Sequence, residues 1–137
     1  RMWGRSRANS VWTINQDCES QLFDLADANG NALYRPPGGD ITASPTARLL
    51  GRPVISVEYN PTLGDAQDIQ LHDWSQYIMI DKGAIASESS THVRFLYDEM
   101  TFRFTYRCDG QPVWNSALTP FKGSNTQSPH VTLAERA

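Results

Sequence analysis

The sequence predicts a mixed α+β fold in which short strands outnumber helices. Three observations carry that reading. Short β-prone runs recur along the chain, at 11–14, 54–59, 69–71 and 77–81. A single apolar stripe at helical spacing joins Cys18, Leu22, Leu25 and Ala26. Late in the chain, apolar and polar residues alternate with the period of two that a half-buried strand requires.

Taken in order, Val11-Trp12-Thr13-Ile14 reads as the first strand. Asn15 follows as an N-cap, with Asp17 and Glu19 at the positive end of a helix that carries the apolar stripe for about three turns. Asn29-Gly30 ends that helix and turns the chain. The Pro/Gly-rich stretch 36–47 predicts an exposed loop. Val54 to Tyr59 is a strand that Asn60-Pro61 stops, and Ile69–Leu71 and Tyr77–Asp81 are two more, with Asp73 placed to cap a single turn between them. Val93, Phe95 and Tyr97 alternate as a further strand. From Met100 the parity switches: Met100, Phe102, Phe104, Tyr106 and Cys108 share one face, and Thr101, Arg103, Thr105 and Arg107 the other. A bulge or tight turn near Asp98-Glu99 must absorb the switch, because a one-residue slip sends every side chain to the opposite face. Asp109-Gly110 reads as a hairpin turn that returns Gln111–Trp114 as the partner strand.

Composition excludes several function classes. The chain has 137 residues, 39% of them hydrophobic and 20% charged, with a formal charge of −3. That is one core's worth of chain, burying roughly two-thirds of the surface its unfolded form exposes. No apolar run reaches the roughly 18 residues a spanning helix needs, so no membrane partner is expected. The charge lacks the basic excess of a dedicated nucleic-acid binder. Ten of the twelve basic residues are Arg and two are Lys. That imbalance favours protein interfaces, where the planar guanidinium pairs well and Lys is depleted. Arg1, Arg5 and Arg7 form one cluster, Arg103 and Arg107 another. Phosphate binding is the competing use for both.

No catalytic constellation stands out. There is no G-x-S-x-G elbow and no glycine-rich phosphate cradle. The three histidines lack metal-ligand spacing, and Asp65, Asp68 and Asp73 read as solvated loop acids rather than a calcium loop. Cys18 and Cys108 offer no CxxC unit and are expected to be structural thiols, and no Asn-x-Ser/Thr sequon supports secretion. His72-Asp73 is the one candidate base with an orienting carboxylate, and its plainer reading is a capped surface turn. His92 and His130 read as ordinary polar positions. No catalytic, cofactor or metal residue is therefore assigned, and no small-molecule substrate is expected.

The order of several motifs resembles that of tailed-phage major capsid proteins. They are Trp3, then Ser10-Val11-Trp12-Thr13-Ile14-Asn15; Leu49-Leu50-Gly51-Arg52-Pro53-Val54; Gly64-Asp65, Asp68-Ile69, Asp73, Tyr77 and Ile80; Ser90-Thr91-His92-Val93 and Phe95; Phe102-Arg103, Arg107, Asp109-Gly110-Gln111-Pro112 and Trp114; and Ser128-Pro129 with Val131. The resemblance spans nearly the whole chain and implies the Hong Kong 97-like capsid fold. It further implies that residues 1–90 belong to the axial (A) domain, 91–124 to strands of the peripheral (P) domain forming a long hairpin, and 125–137 to a C-terminal tail. The family's N-terminal arm, extended loop and spine helix have no counterpart in these residues, and an N-terminal Arg rather than Met suggests part of a longer protein. No Asn lies between Asn60 and Asn115, so the Lys–Asn crosslink of some relatives is not carried over to the hairpin.

What the resemblance implies for function is a structural, non-enzymatic shell subunit. Its partners would be copies of itself in pentamers and hexamers, with the portal, scaffold and maturation protease of such families and non-specifically packaged DNA. The location would be the virion capsid, assembled in the bacterial host cytoplasm. Two other readings stand beside it: an encapsulin-like compartment shell, which shares the fold, and a small α+β hydrolase built on His72 and Asp73.

Overall fold

The computed structural model describes residues 1–38 and 46–135. They form two compact units, a body of 1–76 with 114–137 and a second unit of 77–113. Most of the loop expected at 36–47 lies outside the described residues.

The body is built on a sheet whose strands are β1 (Val11–Ile14), β2 (Tyr34–Arg35), β3 (Arg48–Leu49), β4 (Arg52–Ser56), β5 (Ile69–His72) and β10 (His130–Thr132), in the spatial order β10-β5-β1-β4-β3-β2. The β1–β4 pair is parallel and the other pairs are antiparallel. Register puts Trp12 opposite Val54 and Leu71, and Ile14 opposite Ser56 and Ile69, so these side chains share one face. On that face Ile14, Cys18, Leu22, Tyr34, Ala47, Leu49 and Val54 form the buried core, with Trp12, Leu33 and Ile69 packed against it. The Trp12 indole N–H donates to the Leu49 carbonyl at 3.1 Å, so a ring half in the core leaves no polar atom stranded.

Two caps stand where local chemistry put them. The Asn15 carboxamide oxygen accepts from the Asp17 amide at 3.0 Å, while its nitrogen donates to the Asn60 carbonyl at 2.7 Å. The Asp73 carboxylate accepts from the Ser75 amide at 3.1 Å and the Ser75 hydroxyl at 2.6 Å, starting the single 3₁₀ turn Trp74–Gln76. The helix after Asn15 is shorter than its stripe predicts. A 3₁₀ turn, Gln16–Cys18, runs into α1 (Glu19–Leu22), and there helical structure ends. Cys18 and Leu22 are buried, but Leu25 and Ala26 are exposed. The cause is Asp27, whose carboxylate takes the amides of Asn29 and Asn31 and the Asn31 side chain, closing a turn in place of another helical one. Gly30, at φ +81°, completes that turn.

The loop acids divide. Asp65 is exposed and accepts from Thr62, as a solvated acid does. Asp68 is fully buried and accepts the amides of Gly64 at 3.0 Å and Ile69 at 2.7 Å, and Asp73 is 1% exposed. These two carboxylates are internal struts that replace backbone partners a turn leaves open.

The second unit is a two-stranded ribbon. β6 (Tyr77–Asp81) pairs antiparallel with β9 (Cys108–Pro112), and β7 (Ala86–Ser90) with β8 (Thr101–Thr105). Between these ladders, residues 82–85 oppose only 106 and 107, an interruption spanned by the Lys82 amide on the Arg107 carbonyl at 2.9 Å. Among the described residues the long hairpin runs over 77–113. His130–Thr132 supply β10 to the body's sheet.

Two sequence expectations fail in the ribbon. Val93, Phe95 and Tyr97 do not lie on a strand: His92–Tyr97 winds into 3₁₀ turns, and Asp98, at φ +56°, reverses the chain at the tip. That reversal absorbs the parity switch. Asp109-Gly110 is not a turn but lies mid-strand, opposite Ile80 and Met79. Gly110 is there because the Tyr77 ring crosses the strand at that point: a Cβ on Gly110 would sit 2.6 Å from a Tyr77 ring carbon. The partner of β8 is the polar run Ala-Ser-Glu-Ser-Ser at 86–90, which carries none of the apolar alternation that marks a strand in sequence.

Candidate assembly surface

The predicted apolar parity holds along β8, where Phe102 and Phe104 share a face, and that face is bare. Phe102 and Phe104 stand opposite Ser89 and Ser87, too small to cover them, and are 62% and 70% exposed. Met100 and Tyr106 are more than half exposed on the same strand parity. At the tip, Leu96 is 92% exposed beside Val93, Phe95 and Tyr97. None of residues 77–113 is buried. A two-stranded ribbon is marginal in water without something to cover a face, and an apolar patch of this extent on a soluble protein marks a place where another surface binds.

Along the β7–β8 ladder the opposite face is polar and partly self-neutralised. Arg103 pairs with Glu88 directly across the ladder, and Arg94 pairs with Glu99 at 2.7 Å near the tip. Lys82, Ala86, Glu88, Arg103, Thr105 and Arg107 line a shallow cleft of about 380 Å³. The Tyr106 hydroxyl donates to Asp81 at 2.5 Å, and that bond, with burial and the charges of Asp81 and Cys108, pushes the phenol up from its ordinary value. Arg103 is thus paired within the chain. In the body, Arg5 lies over the Trp3 ring at 5.8 Å, and Trp3 in turn contacts Trp114 at 5.0 Å.

His72 and Asp73 do not form a catalytic pair. His72 Nε2 bonds the Gln70 side-chain oxygen at 2.7 Å and Nδ1 meets Nδ1 of His130 at 3.2 Å, which uses both ring nitrogens. Burial, then the His130 charge, lower the His72 pKa. Asp73 turns to Ser75 instead. Burial alone would raise its carboxyl, but the Ser75 donors, with the His130 charge, outweigh it and hold the pKa below the ordinary range. His130, expected to be an ordinary polar position, is the partner that sequence reasoning missed: it lies 58 residues from His72, and nothing in the spacing of either residue announces the contact. Cys18 and Cys108 fall in different units and form no disulfide. Among the described residues no cluster of three or more His, Cys, Asp or Glu side chains has metal-binding geometry.

The model of the phage capsid family matches residues 1–123. The chain belongs to that family. Two solved structures agree in fold. "Capsid of empty GTA particle computed with C5 symmetry" aligns with a TM-score of 0.58 and 21% identity, over 80% of this chain and 36% of that one. "Capsid of native GTA particle computed with C5 symmetry" gives 0.57 and 21%, over 77% and 35%. This capsid-family chain thus spans about a third of the length of those capsid chains. Comparison with curated proteins gives no match. The α+β capsid fold that the motif order implied is the fold found, with mostly strands and little helix.

Proposed function

We propose that the chain is part of a structural shell subunit that assembles with copies of itself into the capsomers of a capsid and encloses a genome, and that it works in the virion without a catalytic role. The observation that carries this reading is the ribbon: 37 residues with no buried side chain, with exposed apolar side chains along both ladders and at the tip. A chain with that surface is suited to an assembly in which neighbouring copies cover it, because the free-energy gain of burial is then available only on association. The body corresponds in this reading to the axial domain and the ribbon, with the bounds 77–113, to peripheral strands. Portal, scaffold and protease contacts and assembly in the host cytoplasm belong to the same proposal.

Electron microscopy of the protein carrying this chain tests it. Closed shells, tubes or capsomers are the expected result. Persistent monomers with hydrolytic activity that His72→Ala abolishes would overturn it in favour of the hydrolase reading.

A further inference from the structure

The sheet of the body ends in β10, a three-residue strand, and its first residue is one half of a histidine pair. His130 stands directly opposite His72 in the antiparallel register, the two Nδ1 atoms 3.2 Å apart and the rings 5.3 Å between centroids. Their proton arrangement follows from what surrounds them. The Gln70 side-chain oxygen only accepts, so His72 carries its proton on Nε2 and presents a bare Nδ1. His130 must then donate from Nδ1, which leaves its own Nε2 bare. That atom is buried and takes part in no hydrogen bond with the described residues. In this state both rings are neutral, and one hydrogen bond between them helps tie β10 to β5.

The charged group facing the pair is Asp73, which interacts electrostatically with His130. β1, β10 and the turn 74–76 add no charge. β1 consists of Val, Trp, Thr and Ile, with Val11 opposite His72; β10 continues with Val131 and Thr132; and the turn 74–76 supplies Trp74, whose ring lies 5.1 Å from His72 and 6.3 Å from His130. Arg5 and Arg7 lie on the 3₁₀ segment Gly4–Ala8, where Arg5 is engaged on Trp3. A proton added at His130 Nε2 has Asp73 as its counter-charge. A second has to enter at His72 Nδ1, the acceptor of the inter-ring bond, and sets two N–H groups on two cations against each other.

We propose that the His72–His130 pair is a proton-operated latch on the C-terminal strand, closed when both rings together hold at most one extra proton and opened when acid charges both, releasing β10 and exposing the edge of β5. The latch concerns one strand of one chain and does not depend on the shell role. What it would free is definite: the β5–β10 ladder, the Leu133 amide on the Ile69 carbonyl, the Gln67 amide on the Leu133 carbonyl, and the Asp73 amide on the Pro129 carbonyl. The sign is set by His72. A histidine whose folded-state pKa is lowered favours the folded state in its neutral form, so that contribution is whole above the ordinary value of 6.5 and is lost as pH falls below it.

The test is amide and imidazole NMR on the chain between pH 7.5 and 5.0, with thermal unfolding alongside. In the unaltered chain, the amides of Val131, Thr132, Gln70 and Leu71 are expected to shift or broaden together with the His72 ring as it titrates, and the melting temperature to fall across the same range. His72→Gln and His130→Gln each remove the second charge, and either should flatten that fall by about 3 °C or more, the shift expected for roughly 1 kcal/mol in a domain near this size. Strand amides that stay unmoved while His72 titrates would overturn the latch. So would a variant whose melting temperature falls with pH as steeply as that of the parent. The titration of the unaltered chain decides the matter even if one variant fails to fold.

Discussion

In the body, Ile14, Cys18 and Leu22 are sealed against Tyr34, Leu49 and Val54, whereas in the ribbon Phe102 and Phe104 lie open on β8. Both regions are β-structure, and both place apolar residues on one face. They differ in what the chain supplies to cover that face. Around the body's sheet the segment after β1 folds back and packs Cys18 and Leu22 into the core with Ile14, Leu49 and Val54. Around the ribbon the two strands meet only each other, and a pair of strands encloses nothing. A core makes a region stable by itself, and an uncovered face makes it a surface for something else.

The largest expected effect separates the two by stability. Ile14→Ala should destabilise the chain by about 2–5 kcal/mol, since a fully buried aliphatic group leaves a cavity when cut back. Phe104→Ala should change the unfolding free energy by less than about 0.5 kcal/mol, as an exposed substitution does, yet reduce or abolish particle formation. Denaturant unfolding and electron microscopy on the same two variants read both halves of the contrast. Equal destabilisation would mean that the ribbon is covered within the chain after all.

Next in size is Asp73→Asn. The change removes the charge that the Ser75 hydroxyl and amide hold in a buried site, and an expected loss of about 1–3 kcal/mol follows from weakening bonds to a buried charged acceptor. Its pH signature is specific. A carboxylate with a lowered folded-state pKa contributes stability above its ordinary value of 3.8 and loses it as pH falls through the lower folded value, so the parent and Asp73→Asn curves should converge only under strong acid. Urea midpoints between pH 7 and 3 check this.

Smaller effects belong to the ribbon. Gly110→Ala forces the Tyr77 ring off the strand, and because that ring is exposed and can rotate, about 0.5–1 kcal/mol of cross-strand packing is at stake. Loss of the Tyr77–Gly110 contacts in NMR spectra is the direct readout. Smallest of all is Arg103→Ala. The pair with Glu88 is well exposed on both sides, so the expected cost is about 0.2–1 kcal/mol at low salt and vanishes in high salt. A salt-independent loss would mean that Arg103 has a structural partner besides Glu88.

What could be read in advance was local. Asn15 and Asp73 cap because their side chains reach amides two residues on, and Asn29-Gly30 turns because glycine accepts a positive φ. The shared face of Phe102, Phe104 and Tyr106 follows from strand geometry. What misled the reading was also local. Leu25 and Ala26 continue a helical period that Asp27 cuts short, and Asp109-Gly110 has the composition of a turn while serving a strand. No local rule could assign the polar run 86–90 as the partner of β8, bury Asp68 under the Gly64 and Ile69 amides, or bring His130 to His72.

Sequence alone determined the class of the fold, the caps and turns of the body, the parity of the apolar strand and, through the order of its motifs, the capsid family. Those properties depend on neighbours a few residues apart or on the linear order itself. Tertiary structure decided which strands pair, which acids are internal, that the apolar face stays open, and that two histidines 58 residues apart share a hydrogen bond. Each of these is a contact between distant segments, and a distant contact forms only when the whole chain has chosen its register.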